Sequence, residues 1–65
     1  MEQVQIKDVR KGEYVRRKAD AKTTFVRGDY VRYEGWNRYS LTDFYDINRE
    51  IFLKGTTKVW VGFDF

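Results

Sequence analysis

Histidine and cysteine are both absent from this 65-residue sequence, so any chemistry must come from carboxylates, hydroxyls, amines or rings. The commonest catalytic bases and nucleophiles are therefore missing. The usual ligands of a structural zinc site are missing with them. Among the carboxylates, Asp43, Asp46 and Glu50 fall at i, i+3 and i+7, a spacing that a helix would align on one face. Such a face could offer oxygen ligands to Mg²⁺ or Ca²⁺. A simpler reading has Asp43 capping a turn, Asp46 or Asn48 bonding to nearby backbone, and Glu50 in solvent. The simpler reading is preferred, so the expectation is a non-enzymatic protein with no catalytic residue, no cofactor and no metal.

The second set of residues with chemical potential is aromatic and basic. Tyr30, Tyr33, Trp36 and Tyr39 lie close together in residues 22–44, interleaved with Arg27, Arg32 and Arg38. With two Trp, five Tyr and five Phe in the chain, and each ring able to bury about 150–250 Å², one small core cannot hold them all. Some rings should face solvent or a partner. Single-stranded nucleic acid is bound by basic side chains tracking the backbone and by rings that stack on bases. Phosphate candidates are Arg16, Lys18, Lys22, Arg27, Arg32 and Arg38, together with Arg10, Lys11 and Arg17. Stacking candidates are Tyr30, Tyr33 and Trp36.

Structure alone explains part of this pattern, because Tyr and Trp favour strands and Arg pairs with acids across a ladder. Arg16, Arg17 and Lys18 would alternate faces on a strand, so at least one must turn toward the core side. Protein recognition draws on the same residue types, since Tyr, Trp, Phe and Arg are enriched in interface cores. The terminal VWVGFDF, residues 59–65, is either an edge strand open to a partner or a central strand covered on both faces. The leading expectation is a binding or accessory module with a protein partner or a second copy of itself. The alternative is a nucleic-acid-binding module for single-stranded DNA or RNA.

Lys and Arg number 13 against 10 Asp and Glu, a net charge of +3. Residues 1–33 hold nine basic and five acidic side chains, while residues 34–65 hold four and five. A basic amino half suits phosphate or an acidic partner. No apolar run approaches the roughly 18 residues of a membrane span, and residues 1–12 contain no apolar signal region. The expectation is a cytoplasmic protein without a membrane role.

The elements that must position these residues are short strands. Val4 and Ile6 alternate with polar residues at the start, and Gly12 marks a turn after Asp8. Residues 13–18 read as a strand packed through Tyr14 and Val15, and residues 23–32 as a second, rich in β-branched and aromatic types. Gly28 is either the turn of a hairpin or a bulge in one long strand; the bulge is preferred, because neither face of an unbroken strand is cleanly apolar. Without it, Tyr30 and Arg32 would share a face with Val26, and Val31 and Tyr33 with Phe25. Residues 34–37 read as a turn, 38–44 as a strand, 43–49 as a loop with a helical or 3₁₀ turn, and 50–54 and 58–65 as the last strands. No stretch has helical periodicity. The result is one all-β domain over residues 1–65, a five- or six-stranded antiparallel meander closing into a barrel of SH3-like or OB-like size. Its expected core is Val15, Val26, Tyr39, Leu41, Ile51, Leu53, Val59, Val61 and Phe63.

Residues 11–15 (KGEYV), 26–30 (VRGDY), 46–52 (DINREIF) and 61–65 (VGFDF) together resemble the small β proteins encoded by orphan reading frames of phages and mobile elements. The Gly-bearing turn at Lys11 and Gly12 is similar to the one preceding the first strand of SH3-like barrels. The resemblance implies a small β fold and carries no activity to any residue.

Overall fold

A computed structural model describes residues 1–63. Six strands follow in order: β1 (Glu2–Gln5), β2 (Tyr14–Val15), β3 (Phe25–Tyr33), β4 (Trp36–Asp43), β5 (Glu50–Leu53) and β6 (Lys58–Val61), with a 3₁₀ turn at Ile6–Asp8. All pairings are antiparallel, β1 with β6 in one sheet and β2-β3-β4-β5 in the other. The expected all-β meander is thus present. The two sheets meet where Arg16 and Trp60 exchange backbone bonds of 2.9 and 2.7 Å. The sequence of strands around the curl is therefore β1-β6-β2-β3-β4-β5. It forms a half-barrel in which no ladder joins β5 to β1 among the described residues. Among the described residues, no helix is long and apolar enough to cross a membrane.

The preferred bulge at Gly28 is observed. Arg27 pairs with Leu41 and Tyr30 with Tyr39, so Gly28 and Asp29 together face only Ser40. A Cβ on Gly28 would sit 3.1 Å from Ser40 Oγ and 3.4 Å from its Cβ, which is why the smallest residue stands here. Because side-chain direction alternates along a strand, one extra residue reverses it. Tyr30 and Arg32 therefore stay on the concave face with Phe25 and Arg27. Val31 and Tyr33 join Val26 on the convex one.

The hairpin turn is tighter than expected. Tyr33 pairs directly with Trp36, leaving only Glu34 (φ 45°) and Gly35 (φ 82°) as the loop. Two positive φ values define a type I′ turn, whose twist matches that of the flanking strands. Trp36 is consequently the first residue of β4 and not part of the turn.

The core lies on the concave side and consists of Ile6, Val9, Val15, Phe25, Leu41, Leu53 and Val59. Val4, Tyr39, Ile51 and Val61 pack against it. Three members, Ile6, Val9 and Phe25, were not expected there. Ile6 and Val9 enter because the 3₁₀ turn swings both inward, a local bend that strand alternation does not encode. Val26, expected in the core, pairs with Tyr14 and Thr42 on the convex face and is half-buried. Phe63 is also only half-buried.

Three other expectations are corrected. The strand over residues 13–18 reduces to β2 plus the single bridge at Arg16. Residues 43–49 are a loop as expected, but its turns are successive single reverse turns, with Asp46 N donating to Asp43 O and Arg49 N to Asp46 O, and not a helical or 3₁₀ element. The terminal strand ends at Val61 and runs between β1 and the Arg16 bridge, so it is central and not an edge; Asp64 and Phe65 lie outside the described residues.

Two stability predictions follow from the hairpin. Gly28→Ala must push Ser40 aside, and Ser40 is buried and donates its hydroxyl to Glu50. The expected loss is about 1 kcal/mol, of the order of a small overpacking, and it should shrink in a Ser40→Ala background when the four proteins are compared by urea unfolding. Glu34→Asn should instead stabilise by roughly 0.5–1 kcal/mol, since Asn tolerates the left-handed region better than Glu. Thermal melting should show a rise of a few degrees, at about 4–8 °C per kcal/mol for a domain of this size.

Candidate functional site

β3 and β4 are nine and eight residues long, whereas β2 has two and β5 four. At about 3.3 Å per residue, the β3–β4 hairpin spans most of the molecule's 36 Å long axis. Beyond Tyr39, where the pairing with β5 ends, the hairpin has no strand on either side among the described residues. This overhang explains why rings cluster there in the open: Tyr33 is 69% exposed, Tyr30 43% and Trp36 40%. The expected surplus of rings outside the core is thus present.

The bulge sorts these rings onto opposite faces. On the convex face, Tyr33 and Trp36 are cross-strand partners, and the Trp36 ring lies 5.6 Å from that of Phe52 on β5, itself 41% exposed. The Arg38 guanidinium lies 5.1 Å from the Trp36 ring centre and donates to Asn37 O. Tyr33, Trp36, Arg38 and Phe52 therefore form one aromatic patch with a single cation. It borders β5, whose outer edge has no ladder partner among the described residues. Phe52 was not among the expected site residues. Its signal was present, since Ile51 and Leu53 point inward and alternation sends Phe52 out.

On the concave face, Tyr30 rests on Tyr39 with ring centres 4.5 Å apart. The Arg27 guanidinium lies 4.6 Å from the Tyr39 ring centre and donates to Gly28 O at 2.6 Å. Arg27 Nε is buried and makes no hydrogen bond among the described residues. Arg32 is exposed, one alternation beyond Tyr30 on the same face.

The remaining expected site residues lie away from the hairpin tip. The Arg16 guanidinium sits 4.1 Å from the Phe63 ring centre, and its Nε lies 3.3 Å from Thr24 Oγ1. Lys18 and Lys22 are exposed in the loop before β3; Lys18, Arg17 and Arg49 border a depression of about 430 Å³ over Phe25. Arg49 faces Phe25 at 5.8 Å and Asp43 Oδ2 at 3.9 Å. Four arginines, 16, 27, 38 and 49, thus each lie near a ring, within the range where cation–π attraction operates. Part of the Arg–aromatic interleaving read from the sequence is the fold's own packing.

Lys11 pairs with Asp29 at 2.5 Å, and this bond with the nearby ammonium charge holds the Asp29 carboxyl below its ordinary range. The pair is exposed, so salt weakens it. Its contribution is present at neutral pH and disappears as acid protonates Asp29.

The three carboxylates with helical spacing do not converge. Asp43 points inward with Leu41, whereas Glu50 pairs with Thr42 and points outward. Asp43 Oδ1 accepts from Tyr45 N at 2.9 Å and Asp46 Oδ1 from Asn48 N at 3.1 Å. These are the local turn-forming bonds of the simpler reading. Among the described residues, no group of three acidic side chains is placed to hold a metal ion.

Compared with known proteins, the chain matches no family model, no curated protein and no solved structure.

Trp36 is half-exposed against Phe52 and Arg38, so Trp36→Ala should cost only about 1 kcal/mol, the scale of one aromatic contact. Leu41→Ala, at the fully buried centre, should cost about 2–5 kcal/mol, enough to unfold most molecules of a small domain. Parallel thermal melts should separate the two clearly.

Proposed function

We propose that the protein is a small non-enzymatic binding module that holds a protein partner, in the simplest case a second copy of itself, against the convex face of the β3–β4–β5 sheet. One observation carries this reading: Tyr33, Trp36 and Phe52 are exposed side by side next to the unpaired edge of β5. An incoming strand can bond to such an edge while its apolar side chains cover the rings. Aromatic residues with one arginine are the side chains that dominate interface energetics. The edge in this reading is β5 and not the chain's terminal strand, because β6 is covered by neighbours on both sides. Its setting is the cytoplasm, as expected from the sequence.

Sedimentation over a range of concentrations should show a mass that rises toward the dimer, or affinity capture should recover one specific protein. Phe52→Asp should abolish either association while costing only about 1 kcal/mol of stability, the scale of its one ring contact with Trp36, because Phe52 lies outside the core. A monomer at all concentrations with no captured partner would refute the reading.

A further inference from the structure

A second site lies on the concave face, and it stands or falls independently of the partner reading. The turn after β5 meets the 3₁₀ turn after β1 here: Lys7 N donates to Gly55 O at 3.1 Å and Ile6 N to Thr57 O at 2.8 Å. Gly55 is wedged between Tyr39 and Lys7, so close that a Cβ would lie 3.2 Å from the Tyr39 ring and 3.3 Å from Lys7 Cβ. The seam and the overhanging hairpin flank an open groove of about 360 Å³. Tyr30 and Tyr39 form one wall, and Lys7, Lys54 and Arg38 contribute to the lining together with Asn37. Among the described residues, no carboxylate lines it. The acid nearest along β3, Asp29, is already paired with Lys11.

The geometry points to a groove for a nucleotide unit, with the base laid on the Tyr30 ring and the phosphate held by Lys7 and Lys54. Three features select this chemistry. Tyr30 is braced from behind by Tyr39, so a planar ligand meets a ring already held in place. The cations stand beside the ring with no carboxylate among the described lining residues, which fits a ligand that is flat at one end and negatively charged at the other. Asn37 carries both a donor and an acceptor, as the polar edge of a base requires. The volume falls within the roughly 300–1,000 Å³ of small-ligand sites. Paired bases are not free to stack on a protein ring, so the source is a free nucleotide or an unpaired strand. Arg32, exposed beyond Tyr30 on the same face, would meet the next phosphate of a strand. Lys7 and Lys54 come from opposite ends of the chain and did not figure among the residues suggested by the sequence.

The test uses a fluorescently labelled oligothymidylate at low salt, read by anisotropy, and adenosine monophosphate alone, read by chemical-shift changes at Tyr30 and Gly55. Tyr30→Ala should weaken oligonucleotide binding about 5- to 150-fold, the range found for loss of one base–ring stack. The double variant Lys7→Gln/Lys54→Gln should weaken it as well and reduce the log–log salt slope by about 1.4. Both lysines are exposed, so this variant remains informative even if Tyr30→Ala melts early. Tyr33→Ala, on the opposite face, should leave affinity unchanged. Strand binding without monophosphate binding identifies the unpaired chain as the ligand; binding of both identifies the nucleotide unit itself. Absence of binding to either probe would overturn the assignment. So would oligonucleotide binding that depends on the lysines but not on Tyr30, which would mark a plain polyanion surface, or equal losses in Tyr30→Ala and Tyr33→Ala.

Discussion

Two residues of β3 facing one of β4 is the constraint on which the surface of this molecule depends. Gly28 and Asp29 both sit opposite Ser40, and everything beyond them on β3 is turned over relative to an unbroken strand. Tyr30 is thereby kept on the concave side, against Tyr39, and Tyr33 is sent to the convex side, against Trp36. The same extra residue shortens the loop to two positions, which brings Tyr33 and Trp36 into direct pairing. The space at the bulge is set by Ser40, whose hydroxyl is held by Glu50 of the next strand. Three strands therefore share in fixing one local irregularity.

The second determinant is a mismatch of lengths. The core occupies only the proximal end of the long hairpin, where β2, β5 and β6 can reach it. Beyond that point β3 and β4 pair with each other alone. A two-stranded ribbon has no layer in which to bury its side chains, so rings at its end are left to pack on one another, on arginines and on solvent. Ring exposure here follows from strand length as much as from the number of aromatic residues.

Arginine has two kinds of place in this fold. Arg16 and Arg27 lie along rings of the structure itself, and Arg27 is drawn in so far that its Nε is buried. Arg38 stands between the two faces, lying on Trp36 while lining the concave groove. The lysines behave differently: Lys7 and Lys54 remain in solvent at the groove's rim, as expected for a strongly hydrated ammonium on a flexible stem. The cations that remain at the concave groove come from both halves of the chain, so the charge imbalance along the sequence does not map onto one face.

Alternation and β-branched or aromatic content were enough, by themselves, to establish an antiparallel all-β meander, the approximate positions of β3 to β6 and a surplus of rings beyond the core, and to favour a bulge over a turn at Gly28. Those features depend on near neighbours in the chain, because side-chain direction in a strand repeats every second residue. Tertiary structure decided the rest. Ile6 and Val9 entered the core through a 3₁₀ turn that has no period of its own, and Val26 was left outside because Tyr14 and Thr42 define its face. Asp43 and Glu50, aligned on paper by helical spacing, were parted because they flank a strand pair. Lys7, Lys54 and Tyr30 became neighbours only when the turn after β5 docked against the turn after β1. Their meeting depends on backbone bonds between opposite ends of the chain, which no spacing along the sequence records.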